Sequence, residues 1–455
     1  MKKARWGWRK KQAIFASILI SSACLGASIS AEAGSRTESL EEMRATIEQL
    51  KKTVLALEQK VAIMEEKQEA TDTAVQEVVK EDKGSTGGLQ LPDNTTMSIY
   101  GYAKLDVIYT DTDGGGKYFL VPKDIPLNSE QAYLPDNSFI MHARESRIGF
   151  TSSTDTSWGK FNTKIEADFY GTEGSQRISN PYNPRLRLAY GELGNLRTGQ
   201  DWSTFVDASA YPEVIDFGYP VSRLFVLQPL IRWTQPFTDG SFQFALENPE
   251  ADFETKTLTD DGMTYVNTTI NEKDEYIPDI VARVNLDPQY GHYSVAALAR
   301  RYSYDTDQYN DSTWGAAITA NAVLPTFGKD NLRLALSYGT GLGRYMQANF
   351  YDAFINPVTH EIETSVQFGG FAAYQHFWLD NLRSTLSYSY AARDNDLNYV
   401  TGMANHKYQS VHANLLWSPI PRIDMGMEYI WGYREVEDGE DGDINRVQGG
   451  FKYKF

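Results

Sequence analysis

The chain has 455 residues, enough for more than one structural unit. Acidic residues outnumber basic ones by 60 to 43, for a formal net charge of -17, which excludes nucleic acid as the expected partner because phosphate binding needs a basic face. Small anionic solutes stay open, since a local positive zone can sit inside an acidic protein. Aromatic residues make up 13% of the chain, with 28 Tyr and 21 Phe, while mean hydropathy is only -0.45. That combination fits a membrane wall of strands whose side chains face lipid and water in turn.

Residues 1–33 read as an export signal. Lys2, Lys3, Arg5, Arg9, Lys10 and Lys11 precede an apolar stretch from Ala13 to Gly26, and Ala31-Glu32-Ala33 has the small-x-small form of a cleavage site. A transmembrane anchor and a lipoprotein attached at Cys24 are the alternatives; Ser21 stands where a lipoprotein would carry a branched apolar residue. Cys24 is the sole cysteine, so cleavage after Ala33 leaves a chain with no disulfide.

Residues 34–83 predict a helical coiled coil. Leu40, Ile47, Val54, Val61, Gln68 and Val75 fall at one heptad position, and Met43, Leu50, Leu57, Met64, Thr71 and Val78 at the other. Such a seam needs partner strands. β-branched residues at the first position with Leu at the second favour two strands, whereas a porin-type barrel leads one to expect a homotrimer. Lys83-Gly84-Ser85-Thr86-Gly87-Gly88 ends the helix, and residues 84–94 form a linker.

From residue 95 to residue 455 the hydrophobic pattern has period two, which predicts an all-β transmembrane barrel. Strands are expected near 95–110, 138–152, 158–170, 183–194, 196–202, 224–235, 241–249, 277–287, 292–303, 312–324, 331–340, 361–378, 381–391, 406–417, 422–434 and 444–455, about sixteen antiparallel strands. Connections alternate between short turns and long loops, as in outer-membrane barrels. Tyr429, Trp431 and Tyr433 share one face of one strand, as an aromatic girdle would. The last strand alternates Val447, Phe451, Tyr453 and Phe455 against Gln448, Lys452 and Lys454, and the terminal Phe455 resembles the signal read by barrel-assembly machinery.

The same alternation sorts the arginines by face. Arg147, Arg185, Arg187, Arg197, Arg232, Arg283, Arg333 and Arg383 each stand beside an apolar neighbour assigned to the lipid face and so should face the lumen, with the leucines of Arg185-Leu186-Arg187-Leu188 outward. Arg144, Arg300 and Arg301 are left ambiguous, because one bulge reverses them. Arginines lining a narrow aqueous pore select anions, and the planar guanidinium suits carboxylates. The competing reading is that they pair with Glu145, Glu166, Asp168, Glu192, Asp201 and Glu428 and merely fill the lumen. Residues 204–223, the loop after the fifth strand, carry Asp207, Tyr211, Glu213 and Asp216. If it folds inward it narrows the channel and sets its acids against the arginines; otherwise it is a surface loop.

Enzyme signatures are absent: there is no Gly-Lys-Ser/Thr phosphate loop, no His-Glu-x-x-His and no Gly-x-Ser-x-Gly. No cofactor or metal is expected. The acidic run Glu435 to Asp443 does not have calcium-loop spacing and reads as solvated rim charge, with cation bridges to lipopolysaccharide as the alternative.

Several segments resemble the DcaP-like porins of Gram-negative bacteria. They are Ser98-Ile99-Tyr100-Gly101-Tyr102-Ala103-Lys104-Leu105-Asp106, Ala143 to Phe150 (AlaArgGluSerArgIleGlyPhe), Arg197 to Phe205, Asp216-Phe217-Gly218, and Gln228-Pro229-Leu230-Ile231-Arg232-Trp233. The resemblance implies a trimeric sixteen-strand barrel in the outer membrane with a periplasmic coiled coil, passing small dicarboxylates such as phthalates or succinate-like acids. It implies pore roles for Arg144, Arg147, Arg197 and Arg232. The sequence departs from it at Leu227, where an arginine is expected just before Gln228. Two further readings stand beside an organic-acid channel. One is a sugar-type porin, which needs an aromatic track in the lumen, although most Tyr and Trp here assign to the lipid face. The other is a structural tether whose coiled coil contacts the cell wall.

Overall fold

The structure is a computed structural model that describes residues 48, 51, 52, 94–171, 180, 182–259, 264–270, 275–306 and 309–455. The chain divides into a first unit, Met1–Gln90, and a second, Leu91–Phe455. In the first, Glu48, Lys51 and Lys52 are helical and exposed. The expected export signal, the other residues of the expected coiled coil and nearly all of the expected linker lie outside the described residues.

The second unit is a barrel. Its strands in chain order are β1 (Thr95–Thr110), β2 (Ser138–His142), β3 (Arg147–Thr156), β4 (Gly159–Asp168), β5 (Arg185–Leu193), β6 (Leu196–Trp202), β7 (Leu227–Phe237), β8 (Gly240–Glu247), β9 (Phe253–Leu258), β10 (Tyr265–Ile270), β11 (Asp279–Leu286), β12 (His292–Asp305), β13 (Asn310–Pro325), β14 (Asn331–Gly339), β15 (Ala353–Ile355), β16 (Ile362–Thr364), β17 (Gln367–Leu379), β18 (Leu382–Arg393), β19 (Asn405–Ile420), β20 (Ile423–Val436) and β21 (Asp441–Lys454). Wall strands pair antiparallel with their chain neighbours, and β1 closes the ring on β21 from Tyr102↔Lys454 to Thr110↔Arg446. Both β2 and β3 pair with β1, so they are one wall strand broken at residues 143–146, and the wall of the described residues has sixteen strands. Closure leaves no unpaired edge for the hydrocarbon to meet.

Each expected strand has its counterpart. One boundary needs correction: the stretch expected at 361–378 begins at Gln367, and Ile362–Thr364 belong to a second sheet. That sheet, β10-β9-β15-β16, was not foreseen and is built from the connections between β8 and β11 and between β14 and β17. On the wall the alternation holds. On β21, Val447, Phe451 and Tyr453 are exposed while Arg446 and Gln448 are buried. The outward residues are the apolar ones, which gain from contact with lipid, and the inward ones carry the polar chemistry.

Two irregularities shift this alternation where the arginines lie. Asp106 faces His142 and Tyr102 faces Arg147, so three residues of β1 oppose four, 143–146. Between β4 and β5, Glu166 faces Leu188 and Ala167 faces Leu186, which leaves Arg187 as the extra residue. A bulge of one residue puts two consecutive residues, here Arg187 and Leu188, on the same side and so reverses the alternation beyond it. Leu188 is therefore buried and lines a lumen cavity with Lys164 and Arg197, not the lipid face expected of it.

The connection between β6 and β7 folds into the barrel. Phe205, Val206, Ala210, Ile215 and Val221 are all buried, and Phe205, Val206 and Val221 join one apolar cluster with Leu342, Tyr345, Met346 and Phe350 of the β14–β17 connection. The two connections are held together by a bridge between Leu224 and Met346 and by a hydrogen bond from Phe225 N to Tyr345 O at 2.8 Å. The wall beneath the inward loop is made of small residues. Val221 N donates to Ser410 Oγ and Ser222 N to Ser389 Oγ, at 3.2 and 3.0 Å. A Cβ on Gly450 would lie 2.7 Å from Ile215, and one on Gly369 would lie 2.9 Å from Ser222, so the loop lies flat only because those positions lack side chains.

Candidate functional site: the lumen

The expected lumen arginines separate into two groups. Arg283, Arg333 and Arg383 lie under the inward loop and hold it. Arg283 Nη1 donates to Val206 O at 2.6 Å, and Arg333 Nη1 donates to Ser209 O and Tyr211 O at 2.8 and 2.7 Å. Arg383 makes a two-pronged contact with Glu213, 2.6 Å from Nε and 2.5 Å from Nη2. Arg300, ambiguous in the sequence, is inward and buried between Asp279 and Asp352, while Arg301 bonds Ser312 Oγ at 2.6 Å and lies 5.3 Å from the Tyr276 ring.

The other group lines the wall from β3 to β6, with Arg232 on the adjoining β7. Asp168 takes Arg185 at 2.7 Å and Arg187 at 3.0 Å; Glu166 takes Arg187 at 3.1 Å and Arg147 at 3.4 Å. Three guanidiniums thus share two carboxylates. Tyr100 Oη holds Glu166 from the far side at 2.8 Å, lying over Gly149, where a Cβ would be 2.2 Å from the ring. Nearer the short turns, Arg197 contacts both Glu192 and Asp201, and Arg232 also contacts Asp201.

Several cations of this wall remain open to the lumen. The side chains of Arg185 and Arg147, in the row of Asp168, and of Lys164 and Arg197, successively nearer the short turns, are 34%, 20%, 27% and 25% exposed. Arg187 and Arg144 are buried behind them. Arg144 lies in the break between β2 and β3, with its guanidinium 4.3 Å from the centre of the Tyr118 ring and 4.9 Å from that of Tyr182. Three cavities, of about 350, 440 and 340 Å³, all touch Arg197.

Aromatic rings from two connections and from the end of β6 lie against the arginines of this wall. Arg185 lies 5.3 Å from the centre of Tyr170 and 5.5 Å from that of Phe217, and Arg187 5.7 Å from that of Trp202. Opposite them is Arg223, which the sequence reading missed. It is buried 4.1 Å from the Tyr219 ring and 4.5 Å from the Phe225 ring, and no carboxylate is within ion-pair distance among the described residues. Burial pushes its guanidinium down from the usual arginine value, with Tyr211 and Tyr219 acting against the shift. A loop arginine has no strand period to reveal its direction, so no signal in the sequence marked it.

The loop acids do not form the expected row facing the arginines. Glu213 pairs with Arg383, but Asp207 accepts from Ser209, Ser294 and His292, and Asp216 accepts from the backbone of Leu120 at 3.2 Å. Burial drives the Asp216 carboxyl upward; Asp207, although burial opposes ionisation, is held below the usual carboxylate range by its hydrogen bonds. Tyr211 Oη donates to Leu224 O. Two acids expected as arginine partners have others: Glu145 pairs with Lys104 and Lys452, and Glu428 with His412 while accepting from Ile215 N at 2.6 Å. Lys104, also missed, was legible, since it alternates with Ala103 and Leu105 on β1. Leu227 is half-buried beside Trp202, and the neighbouring Gln228 meets a cation from elsewhere, Arg344 of the β14–β17 connection.

A closed antiparallel barrel with an apolar outside, a charged lumen and a loop folded across it defines an outer-membrane channel of the porin class. The chain belongs to the DcaP outer membrane protein family, whose model matches residues 35–455. Among solved structures it is similar to the outer membrane channel DcaP of Acinetobacter baumannii, with 21% identity over 81% of this chain and 100% of that one, at a TM-score of 0.67. It is also similar to an anion-selective porin from Comamonas acidovorans, with 13% identity over 79% and 100% of the two chains and a TM-score of 0.50. No curated protein matches the sequence. The protein is thus an outer-membrane channel, and its short turns face the periplasm.

Proposed function

We propose that this channel passes small organic anions, dicarboxylates in particular, along the β3–β6 wall. The observation that carries the reading is the descending series of partly exposed cations, Arg185, Arg147, Lys164 and Arg197, in a lumen whose opposite wall is covered by the inward loop. Neighbouring cations spaced down a water-filled, low-dielectric wall lower the cost of moving a carboxylate step by step. A guanidinium fork holds a carboxylate through two parallel hydrogen bonds, and the series offers one to each end of a dianion. The sugar reading is less favoured, because the lumen rings of Tyr170, Phe217, Tyr219 and Phe225 already carry guanidiniums on or near them. Those rings suit an anion with a planar apolar body. No enzymatic chemistry is assigned.

In this reading residues 1–33 direct export, and the heptad segment forms a periplasmic stalk that joins three copies. Contacts of the stalk with the cell wall, and of the outer rim with lipopolysaccharide, belong to the same proposal.

Swelling of proteoliposomes tests the transport claim. Succinate should enter about tenfold faster than an uncharged sugar of similar size, and Arg147→Ala with Arg185→Ala should remove most of that ratio. Equal entry of both solutes would defeat the proposal.

A further inference from the structure

The cavity of about 440 Å³ below the turn at Ala208–Ala210 contains cations that the descending series does not use. Arg232 and Arg283 line it, and each has a buried Nε with no hydrogen-bond partner. Arg283 has no carboxylate within ion-pair distance among the described residues, and its one described hydrogen bond goes to Val206 O. The one described bond of Arg283, from Nη1, leaves its Nη2 without a protein acceptor among the described residues, and an incoming oxygen can take that place. The cavity's fixed cations are Lys164, Arg197, Arg232 and Arg283, against the carboxylates Asp201, Asp207 and Asp287, so it carries a positive excess before His292 is counted. Two of those carboxylates are already engaged, Asp201 by Arg197 and Arg232, Asp207 by Ser209 and Ser294. Leu188 and Trp202 supply an apolar side to the same space, Leu188 because of the bulge at Arg187.

We infer that this cavity is a second anion-binding station, separate from the arginine cluster of Arg147, Arg185 and Arg187, in which a small organic dianion rests before it leaves at the periplasmic rim. One carboxylate meets Arg283 and Arg232, the other meets Lys164 and Arg197, and the carbon body lies against Leu188 and Trp202. This inference rests on the anion-channel reading and adds to it a double occupancy: one anion at the upper cluster and one below, each favouring the other's departure through like-charge repulsion. Trp202 separates the two, since its ring faces Arg187 at 5.7 Å and also lines the lower cavity.

The test uses the full chain in planar bilayers, with succinate as the sole permeant anion. Single-channel conductance against succinate activity should saturate in two phases. Arg283→Gln should raise the saturation constant of one phase about tenfold and leave the other within twofold; Lys164→Gln should raise the same constant about tenfold, with a smaller change in the other because its Nζ lies 3.8 Å from Glu166. Lys164 makes no described bond to the inward loop, so it serves as the variant free of loop loosening. A second measurement is a crystal soaked in 4-bromobenzoate, whose bromine should give anomalous density in the lower cavity, absent from Lys164→Gln crystals. A single saturation phase that neither variant moves, with succinate still carrying the current, would overturn the second station and leave the anion channel standing. Failure of succinate to carry current would overturn both.

Discussion

Inward-facing arginines on the two halves of the barrel wall do different work. On the half from β11 to β18, Arg333 and Arg383 point into the lumen and are consumed by the loop above them, one by its carbonyl oxygens and one by Glu213, while Arg283 gives the loop a single bond, to Val206 O. On the half from β3 to β6, Arg147 and Arg185 point into the same lumen, share Glu166 and Asp168 with Arg187, and remain partly exposed. Strand alternation distinguishes inside from outside; it does not distinguish a cation that meets solutes from one that is a strut. What separates them is the loop: it covers the struts, whereas Arg147 and Arg185, although also paired with carboxylates, keep part of their surface open.

Four arginine substitutions, and a titration read through two Asp→Asn variants, sharpen that contrast. The largest effect is expected at Arg187→Ala, which leaves Glu166 and Asp168 buried with a partner lost: about 3 kcal/mol of stability by analogy with broken buried pairs, read as a lower unfolding temperature in detergent, together with reduced anion selectivity. Arg383→Ala breaks a pair whose Glu213 is 38% exposed, so about 1 kcal/mol is expected. Its signature is electrical: higher and noisier conductance from a loosened loop, with selectivity nearly kept. Arg333→Ala should behave the same way through Ser209 O and Tyr211 O.

The titration separates the two loop acids. Asp207 has a depressed folded-state value, so its contribution to holding the loop is present above the unfolded carboxylate value of about 3.9 and is lost as pH falls through the folded one. Asp216 is raised by burial, so the folded state takes its proton more readily and gains stability as pH falls through that value. Asp207→Asn should therefore lower the unfolding temperature at pH 7, and Asp216→Asn should leave it unchanged or raise it. The smallest effect belongs to Arg301→Ala, which touches Ser312 and Tyr276 away from the β3–β6 wall; its reversal potential should match that of the unaltered channel.

The barrel was legible because a period of two over 361 residues repeats the same physical demand, apolar outside and polar inside, strand after strand. The boundaries of β6 and the start of β12 follow directly from it. The site was legible only where the period ran unbroken. Arg197 and Arg232 lie on regular strands and were placed correctly, whereas Leu188 was misplaced and Arg144 left open because single-residue bulges carry no mark in the pattern. Arg223, Tyr170 and Phe217 lie in connections, where direction comes from long-range packing alone. The sheet of β9, β10, β15 and β16 escaped for a related reason: its strands are short, and β9 and β15, parallel partners, come from two connections about a hundred residues apart.

The most direct test of the central claim is the reversal potential of the purified channel in a planar bilayer under a salt gradient, repeated with succinate in place of chloride. The account predicts anion selectivity for both salts, reduced by Arg147→Ala and Arg185→Ala and nearly unchanged by Arg333→Ala. Cation selectivity, or equal loss from all three variants, would contradict it.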